Sequence, residues 1–322
     1  MSRPTQLPLS EPLVPLLRVD GLRIGFPDGE AVRGVSFDVA AGEVFALVGE
    51  SGAGKSLTAR ALLGMVPRAA GVHGRVLLDG GPVTPADLGR RLAWIPQDAM
   101  SALSPVHRVE DQLAFAVRSV AGAGRREALA VARRALAEVG LGPEAAGAAP
   151  HALSGGMRQR AVIAMALVNG PALVVADEPT TALDPERQEQ VLTLLRERCA
   201  ATRAALLLVS HDLAAVRRHA DRVAVMYAGR IVELGASEQV LEGPVAPYTR
   251  GLLASLPRTG LPRRTRLPVL AGAPPAPGAS GAGCSFAPRC RHAADLCRQE
   301  EPALREVDGR AVACHHPVGE AA

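Results

Sequence analysis

Between Arg18 and Val48, apolar and polar residues alternate in short runs broken by glycine: LRVDGLRIGF, GVSFDVAAG and EVFALVG. A two-residue period predicts β-strands, because successive side chains then point to opposite faces. Beyond Val48 the period lengthens. Lys55 to Met65 predicts a helix, RVLLDG and RLAWIPQ predict strands, and Arg108 to Val139 carries apolar residues three and four apart, the spacing of helices. A helix over Ser154 to Val168, the buried strand ALVVAD (172–177), a helix over Pro185 to Ala200 and the strand ALLLVS (205–210) follow. Strands alternating with helices predict an α/β fold whose mainly parallel sheet is covered on both faces.

After PYTRGLLASLP (247–257) the pattern stops. Residues 258–283 repeat Pro, Gly, Arg and Ala without a period, as in a linker or an irregular crossing. Four of the five cysteines lie beyond it, so a domain boundary is expected near 257, with residues 284–322 a small Cys-rich extension.

Composition narrows the class. A chain of 322 residues exceeds one ordinary core, so one large domain with an appendage is expected. With 48% apolar and 21% charged residues it reads as a globular protein. One Trp, two Tyr and five Phe leave the core to Ala, Leu and Val. A net charge of +4 is mild, and neither a basic stripe nor an aromatic ladder points to nucleic acid. No apolar run reaches the 18 or so residues of a membrane helix; AVIAMALV (161–168) stops at Asn169-Gly170-Pro171. The first 17 residues hold four prolines and a Glu where a secretory h-region would be, so the reading is cytoplasmic.

The chain has one lysine, Lys55, and every other basic side chain among its 36 is arginine. It sits in Gly49-Glu50-Ser51-Gly52-Ala53-Gly54-Lys55-Ser56, which fits G-x-x-x-x-G-K-[ST] between an apolar strand and a helix. Backbone N–H groups of such a loop wrap phosphate oxygens, and the helix N-terminus adds its dipole. A compact ammonium fits inside that loop; a planar guanidinium would force it open. Asp177 ends an apolar strand, where a carboxylate can hold Mg²⁺, and Glu178 beside it can orient or deprotonate an attacking water. Ser154-Gly155-Gly156 opens a second anion-binding helix terminus, implying that each nucleotide lies between two chains.

In this arrangement the chain resembles the ATP-binding subunits of ATP-binding-cassette (ABC) transporters, over residues 16–257. Gly49 to Ser56 resembles Walker A, Gln97 in WIPQD the Q-loop, Leu153 to Gln159 the signature, and Asp177-Glu178 Walker B with its catalytic Glu. Thr181-Ala182-Leu183-Asp184 resembles the D-loop, and His211 after LLLVS the switch histidine. The resemblance implies a P-loop NTPase fold with a mixed sheet and a helical subdomain at about 98–168, after an N-terminal extension of residues 1–15. It implies that Gly49 to Leu57 hold ATP, and that Ser56, Gln97 and Asp177 arrange Mg²⁺. Glu178, Gln97 and His211 would be catalytic, and Ser154, Gly155, Gly156 and Met157 would reach the partner's nucleotide near Asp184. Phe26, 29 residues before Lys55, suits an adenine-stacking aromatic or an ordinary core position.

IPQDAMSALSP (95–105), LSGGMRQRAVIAMAL and PYTRGLLASLP together resemble the ATPases of oligopeptide, dipeptide and nickel importers. Met157, where Gln is usual, resembles the D-type subunit, whose usual partner is an F-type ATPase. That implies a heterodimer at the cytoplasmic face of the inner membrane, beneath two permeases fed by an extracytoplasmic binding protein. Gln97 and the segment after it would meet the permeases. The cargo stays open between dipeptides, longer peptides and nickel complexes. Two rival classes are an ABC ATPase of DNA repair or translation, which would carry a coiled-coil insertion or tandem cassettes, and an ATP-binding metal sensor.

Cys284, Cys290, Cys297 and Cys314 are separated by five, six and sixteen residues. Four thiols so placed are expected as metal ligands, without the C-x₂-C pairs of a zinc ribbon. Thiolate-only ligation suits an iron–sulfur cluster, and the tail resembles the C-terminal extension of the same ATPases, some of which carry [4Fe-4S]. Zinc and unligated thiols are the alternatives, with His292, His315 and His316 as spare ligands. Cys199 reads as a small buried side chain.

Overall fold

The computed structural model describes residues 15–98, 101–181, 183–256, 268–279 and 281–318. Outside them lie residues 1–14 of the expected N-terminal extension, Ala99 and Met100 of the IPQDAMSALSP stretch, the expected boundary at 257, residues 258–267 and 280 of the expected linker, Ala182 of the D-loop, and residues 319–322.

The described elements run β1 (Leu17–Phe26), β2 (Gly29–Val39), β3 (Val44–Val48), α1 (Lys55–Leu62), β4 (Gly71–Leu78), β5 (Gly81–Pro82) and β6 (Leu92–Ile95). Then come α2 (Val109–Ala121), α3 (Arg125–Glu138), α4 (Pro143–Gly147), α5 (Gly155–Leu167), β7 (Leu173–Asp177), α6 (Pro185–Thr202), β8 (Ala205–Val209) and α7 (Leu213–His219). The remainder is β9 (Arg222–Tyr227), β10 (Arg230–Ala236), α8 (Ser237–Glu242), α9 (Pro247–Ala254), α10 (Asp295–Gln299), β11 (Arg305–Val307) and β12 (Arg310–Val312).

The principal sheet has the order β11-β12-β10-β9-β3-β8-β7-β6. Its strands from β9 to β6 pair in parallel, while β10, β12 and β11 extend it antiparallel, so it is mixed rather than mainly parallel throughout. A second, antiparallel sheet has the order β2-β1-β4-β5.

The period of two sorts the central strands between two cores. Val44, Ala46 and Val48 of β3 join the core under the helices, whereas Phe45 and Leu47 join the one facing β1 and β2. The same division separates Leu206 and Leu208 of β8 from Ala205, Leu207 and Val209. All five residues of β3 and of β8 are buried, which is why these runs are continuously apolar. Each such Leu contributes about 1.5–3 kcal/mol through burial. Phe37 stacks on Phe45 at 5.0 Å and fastens the second sheet to the first. Among the described residues no helix is long and apolar enough to cross a membrane.

The sheet's parallel strands end together, at Val48, Asp177 and Val209, and the loops leaving those ends carry the polar groups described next.

Candidate functional site

β3 delivers the phosphate loop. Gly49 has φ 146, and a Cβ there would lie 2.2 Å from the Met226 carbonyl oxygen of β9, so no side chain fits. The loop curls into α1, whose helical bonding starts with Thr58 N–H to Gly54 O, so the amides before it have no acceptor within the helix. The helix points these donors at the loop's hollow, where they suit phosphate oxygens.

Lys55 is only 5% exposed, and its Nζ donates to Gly49 O at 2.9 Å and Glu50 O at 3.0 Å. Burial lowers its pKa, opposed by the nearby carboxylates of Glu178, Asp177 and Glu50. Ser56 Oγ donates to Asp177 Oδ1 at 2.7 Å. Asp177 is fully buried, its other carboxylate oxygen has no hydrogen-bond partner among the described residues, and burial raises its pKa. An orphaned carboxylate oxygen beside a hydroxyl is a donor set that fits a hard cation such as Mg²⁺.

Glu178 follows with φ 47, a left-handed conformation uncommon outside glycine. Backbone strain of this kind persists where surrounding bonds fix it. Here the Glu178 N–H donates to Val209 O at 2.9 Å. Its Oε2 accepts from Gln97 Nε2 at 3.1 Å and Thr181 Oγ1 at 3.2 Å, and lies 3.3 Å from His211 Nδ1. His211 is held by the next residue: Asp212 caps α7, accepting from Ala214 N and Ala215 N at 2.9 and 3.0 Å and from Gln188 Nε2 at 2.7 Å. The structure thus brings Lys55, Ser56, Gln97, Asp177, Glu178 and His211 to one end of the sheet. A carboxylate ringed by donors near a phosphate cradle can position and activate water for attack on a terminal phosphate.

The signature residues are placed differently. Ser154 caps α5, accepting from Met157 N at 3.3 Å, and both Ser154 and Gly155 are exposed. Ser154, with Gly156, Met157, Arg160 and Arg187, borders an open depression of about 310 Å³. Asp184 caps α6, accepting from Arg187 N at 3.0 Å, and is also exposed. Gln159 ties α5 to the Walker B region by donating to Pro179 O at 2.5 Å. Phe26 is half-buried at the end of β1, against the second core.

No sequence signal marks two further contacts, one from Arg289 and one from Tyr248 of the PYTRGLLASLP stretch. The guanidinium of Arg289 forks onto the Glu50 carboxylate at 2.7 and 2.9 Å across a separation of 239 residues. Tyr248 Oη accepts from the Glu50 N–H at 3.0 Å.

Cys284, Cys290, Cys297 and Cys314 line one small cavity of about 40 Å³ with Tyr248 and Phe286. Burial pushes the Cys314 thiol up to about 11 and raises Cys284 and Cys290 as well. Among the described residues, no three His, Cys, Asp or Glu side chains form a group that could hold a metal ion, so the expected metal ligands share a cavity without single-ion geometry. Cys199 is buried in α6, and burial pushes its thiol up to about 12.

A phosphate loop after β3, a carboxylate pair after β7 and a capped second helix terminus on a mixed sheet define an ATP-binding cassette. The chain matches the family "ABC transporter" over residues 32–181 and "Oligopeptide/dipeptide transporter, C-terminal region" over 232–297. It is 44% identical to an oligopeptide transport ATP-binding protein, OppD, of Mycobacterium tuberculosis over 307 residues, 91% of this chain. The chain spans about half (50%) of that relative's length. It is 41% identical to a putative peptide import ATP-binding protein of Brucella melitensis over 320 residues, covering 91% of this chain and 94% of that one. Among solved structures, cbiO1 of Clostridium perfringens, described as part of the ABC transporter complex cbiONQ, superposes with a TM-score of 0.63 at 26% identity, over 71% of this chain and 91% of that one. The chain belongs to the ATP-binding proteins of oligopeptide and dipeptide ABC transporters.

Proposed function

We propose that this chain is the ATP-hydrolysing subunit of a peptide importer. The observation that carries the reading is the Glu178 carboxylate, held by Gln97, Thr181 and His211 beside the Lys55 cradle. Lys55 and the loop amides would hold the phosphates, Glu178 would take the attacking water, and His211 would contact the γ-phosphate. Mg²⁺, held by Ser56 and Asp177 with Gln97 close by, would neutralise charge developing on the phosphate oxygens. Phe26 would meet the adenine.

The exposed Ser154 and Gly155 support a nucleotide shared in trans, and we assign the second cassette to an F-type partner. A groove of about 630 Å³ in the helical region, bordered by Ser104, His107, Gln112, Phe115, Leu129 and Met165, supports docking of one permease subunit and hence peripheral residence at the cytoplasmic face of the membrane, with the second permease resting on the partner cassette. Phe115 is 69% exposed there, an apolar side chain without cover. Peptide cargo is supported by the oligopeptide-transport and peptide-import relatives, and an extracytoplasmic binding protein would deliver it.

The test measures Mg²⁺-dependent ATP turnover and uptake of labelled dipeptides, oligopeptides and nickel by cells carrying the chain in its membrane complex. Glu178→Gln is expected to cut turnover at least ~100-fold while leaving ATP bound, and to abolish uptake. Wild-type turnover in the variant, or loss of nickel uptake with peptide uptake intact, would refute the reading.

We further propose that the four tail cysteines hold a [4Fe-4S] cluster. Four thiols around one apolar cavity match the donor set of such a cluster. Anaerobically purified protein is expected to contain about four irons and four sulfides per chain. One zinc, or no metal, would exclude it.

A further inference from the structure

Glu50, the second residue of the phosphate loop, is held mainly by residues from beyond the nucleotide motifs. Arg289 lies in the turn Ala287–Arg289 that follows Cys284. Its Nη1 donates to Glu50 Oε2 at 2.7 Å and its Nη2 to Oε1 at 2.9 Å, a two-pronged pair with the arginine side chain only 6% exposed. The same guanidinium donates through Nε to Ala271 O at 2.8 Å and through Nη1 to Tyr227 Oη at 3.3 Å, and it stands 5.7 Å from the Tyr227 ring centre. Tyr248 from α9 takes the Glu50 N–H, while the Glu50 carbonyl accepts from Lys55. Glu50 is therefore fixed at its carboxylate, its amide and its carbonyl.

The segment before the extension reaches the turn between β1 and β2. Gly278 packs on the turn between β1 and β2, so closely that a Cβ on Gly29 would stand 2.3 Å from the Gly278 Cα. Residues 268–279 run between the Arg289 clasp, which they join through Ala271, and the turn that follows Phe26. Chain from outside the ABC transporter match thus braces the site at two separate places.

We infer that Arg289 is a positioning residue for nucleotide binding: through Glu50 it holds the phosphate loop in the conformation that receives the phosphates, so that the C-terminal extension sets the nucleotide affinity of the cassette. The inference rests on the nucleotide-binding reading above. A loop ordered before the ligand arrives does not spend binding energy on ordering. A planar fork fixes the orientation of a carboxylate, which a lysine cannot do. Removing either partner leaves the other partly buried and unpaired, and the loop loses its anchor.

The experiment measures MgATP dissociation constants by titration calorimetry on the full chain for wild type, Arg289→Gln, Arg289→Lys, Glu50→Gln and the double variant Arg289→Gln/Glu50→Gln. Thermal unfolding without nucleotide is recorded for each. Leu136→Ala, a truncation in the core of α3, serves as the control for general destabilisation. Arg289→Gln and Glu50→Gln are each expected to weaken ATP binding about tenfold, with Arg289→Lys between them and wild type. The double variant is expected to be no weaker than either single variant, because both break one interaction. Leu136→Ala is expected to lower the unfolding temperature and keep wild-type affinity.

Folded Arg289→Gln and Glu50→Gln chains that bind within twofold of wild type would overturn the inference, as would single effects that multiply in the double variant. If Arg289→Gln fails to fold, the affinities of Arg289→Lys and Glu50→Gln decide the matter by the same twofold limit. A wild-type chain that binds no MgATP would bring down the nucleotide reading itself, and this inference with it.

Discussion

Asp177 is where the needs of stability and of the proposed chemistry diverge most clearly. It is fully buried and one of its oxygens has no partner among the described residues, an arrangement that costs the apo chain free energy and suits a cation. Burial raises its pKa, against the hydrogen bond from Ser56 and the charge of Arg60. The native chain therefore keeps this proton to higher pH than the unfolded chain, whose carboxyl titrates near ~3.9. Between the two values the native state binds more protons, so stability falls as pH rises through that window and the loss then persists. Asp177→Asn keeps an acceptor for Ser56 and removes the charge. The nucleotide-free variant is expected to melt above wild type at pH 7–8, with a gap that shrinks towards pH 4, while Mg²⁺-dependent hydrolysis disappears. Melting curves across that pH range decide it; a variant no more stable than wild type at pH 8 would show that the charge is already compensated.

Several of the site's residues are placed by helix starts, and these are testable as elements. Asp212 accepts from two amides of the first turn of α7 and from Gln188 on α6, so one carboxylate joins two helices immediately after His211. Losing such a cap costs about 1–2 kcal/mol. Asp212→Ala is expected to lose that much by urea unfolding, whereas Asp212→Asn, which can still cap, should stay close to wild type; equal losses would show that charge rather than capping matters. Elements of this kind are legible in the sequence to different degrees. β3, β7 and β8 are continuous apolar runs ended by polar residues, and the structure places them within a residue or two of the expected bounds. β9 and β10 are not among the strands expected from the pattern. Their hairpin turns through Ala228 and Gly229, both at positive φ (45 and 79), a geometry usually announced by Asn-Gly or Asp-Gly. The loop and carboxylate motifs are legible because each is compact in sequence. Arg289 is not, because its partner is 239 residues away and no local pattern records the meeting.

For the molecule as a whole, the sequence predicts an appendage beyond a linker, while the C-terminal segment shares the sheet and the core with the rest. β12 pairs with β10, Phe286 packs in the helix-side core, and its ring stands 5.3 Å from both Tyr227 and Tyr248. Glu233 on β10 is fully buried and accepts from Val245 N at 3.0 Å, Ala246 N at 3.1 Å and Arg310 Nη1 of β12 at 3.4 Å. A carboxylate held by the neighbouring strand and by the turn before α9 couples the extension to the principal sheet, so both parts should unfold together. The single tryptophan offers the means to see it, since Trp94 is on β6, the sheet edge opposite β11 and β12. Arg310→Met leaves Glu233 its two backbone donors but no cation, and breaking a buried pair costs about 3 kcal/mol at the low end. If the molecule is one cooperative unit, the variant shifts the urea transition followed by Trp94 fluorescence by that amount, and calorimetry shows one peak. An extension that folds by itself would instead leave the Trp94 midpoint in place and split off a second peak at lower temperature.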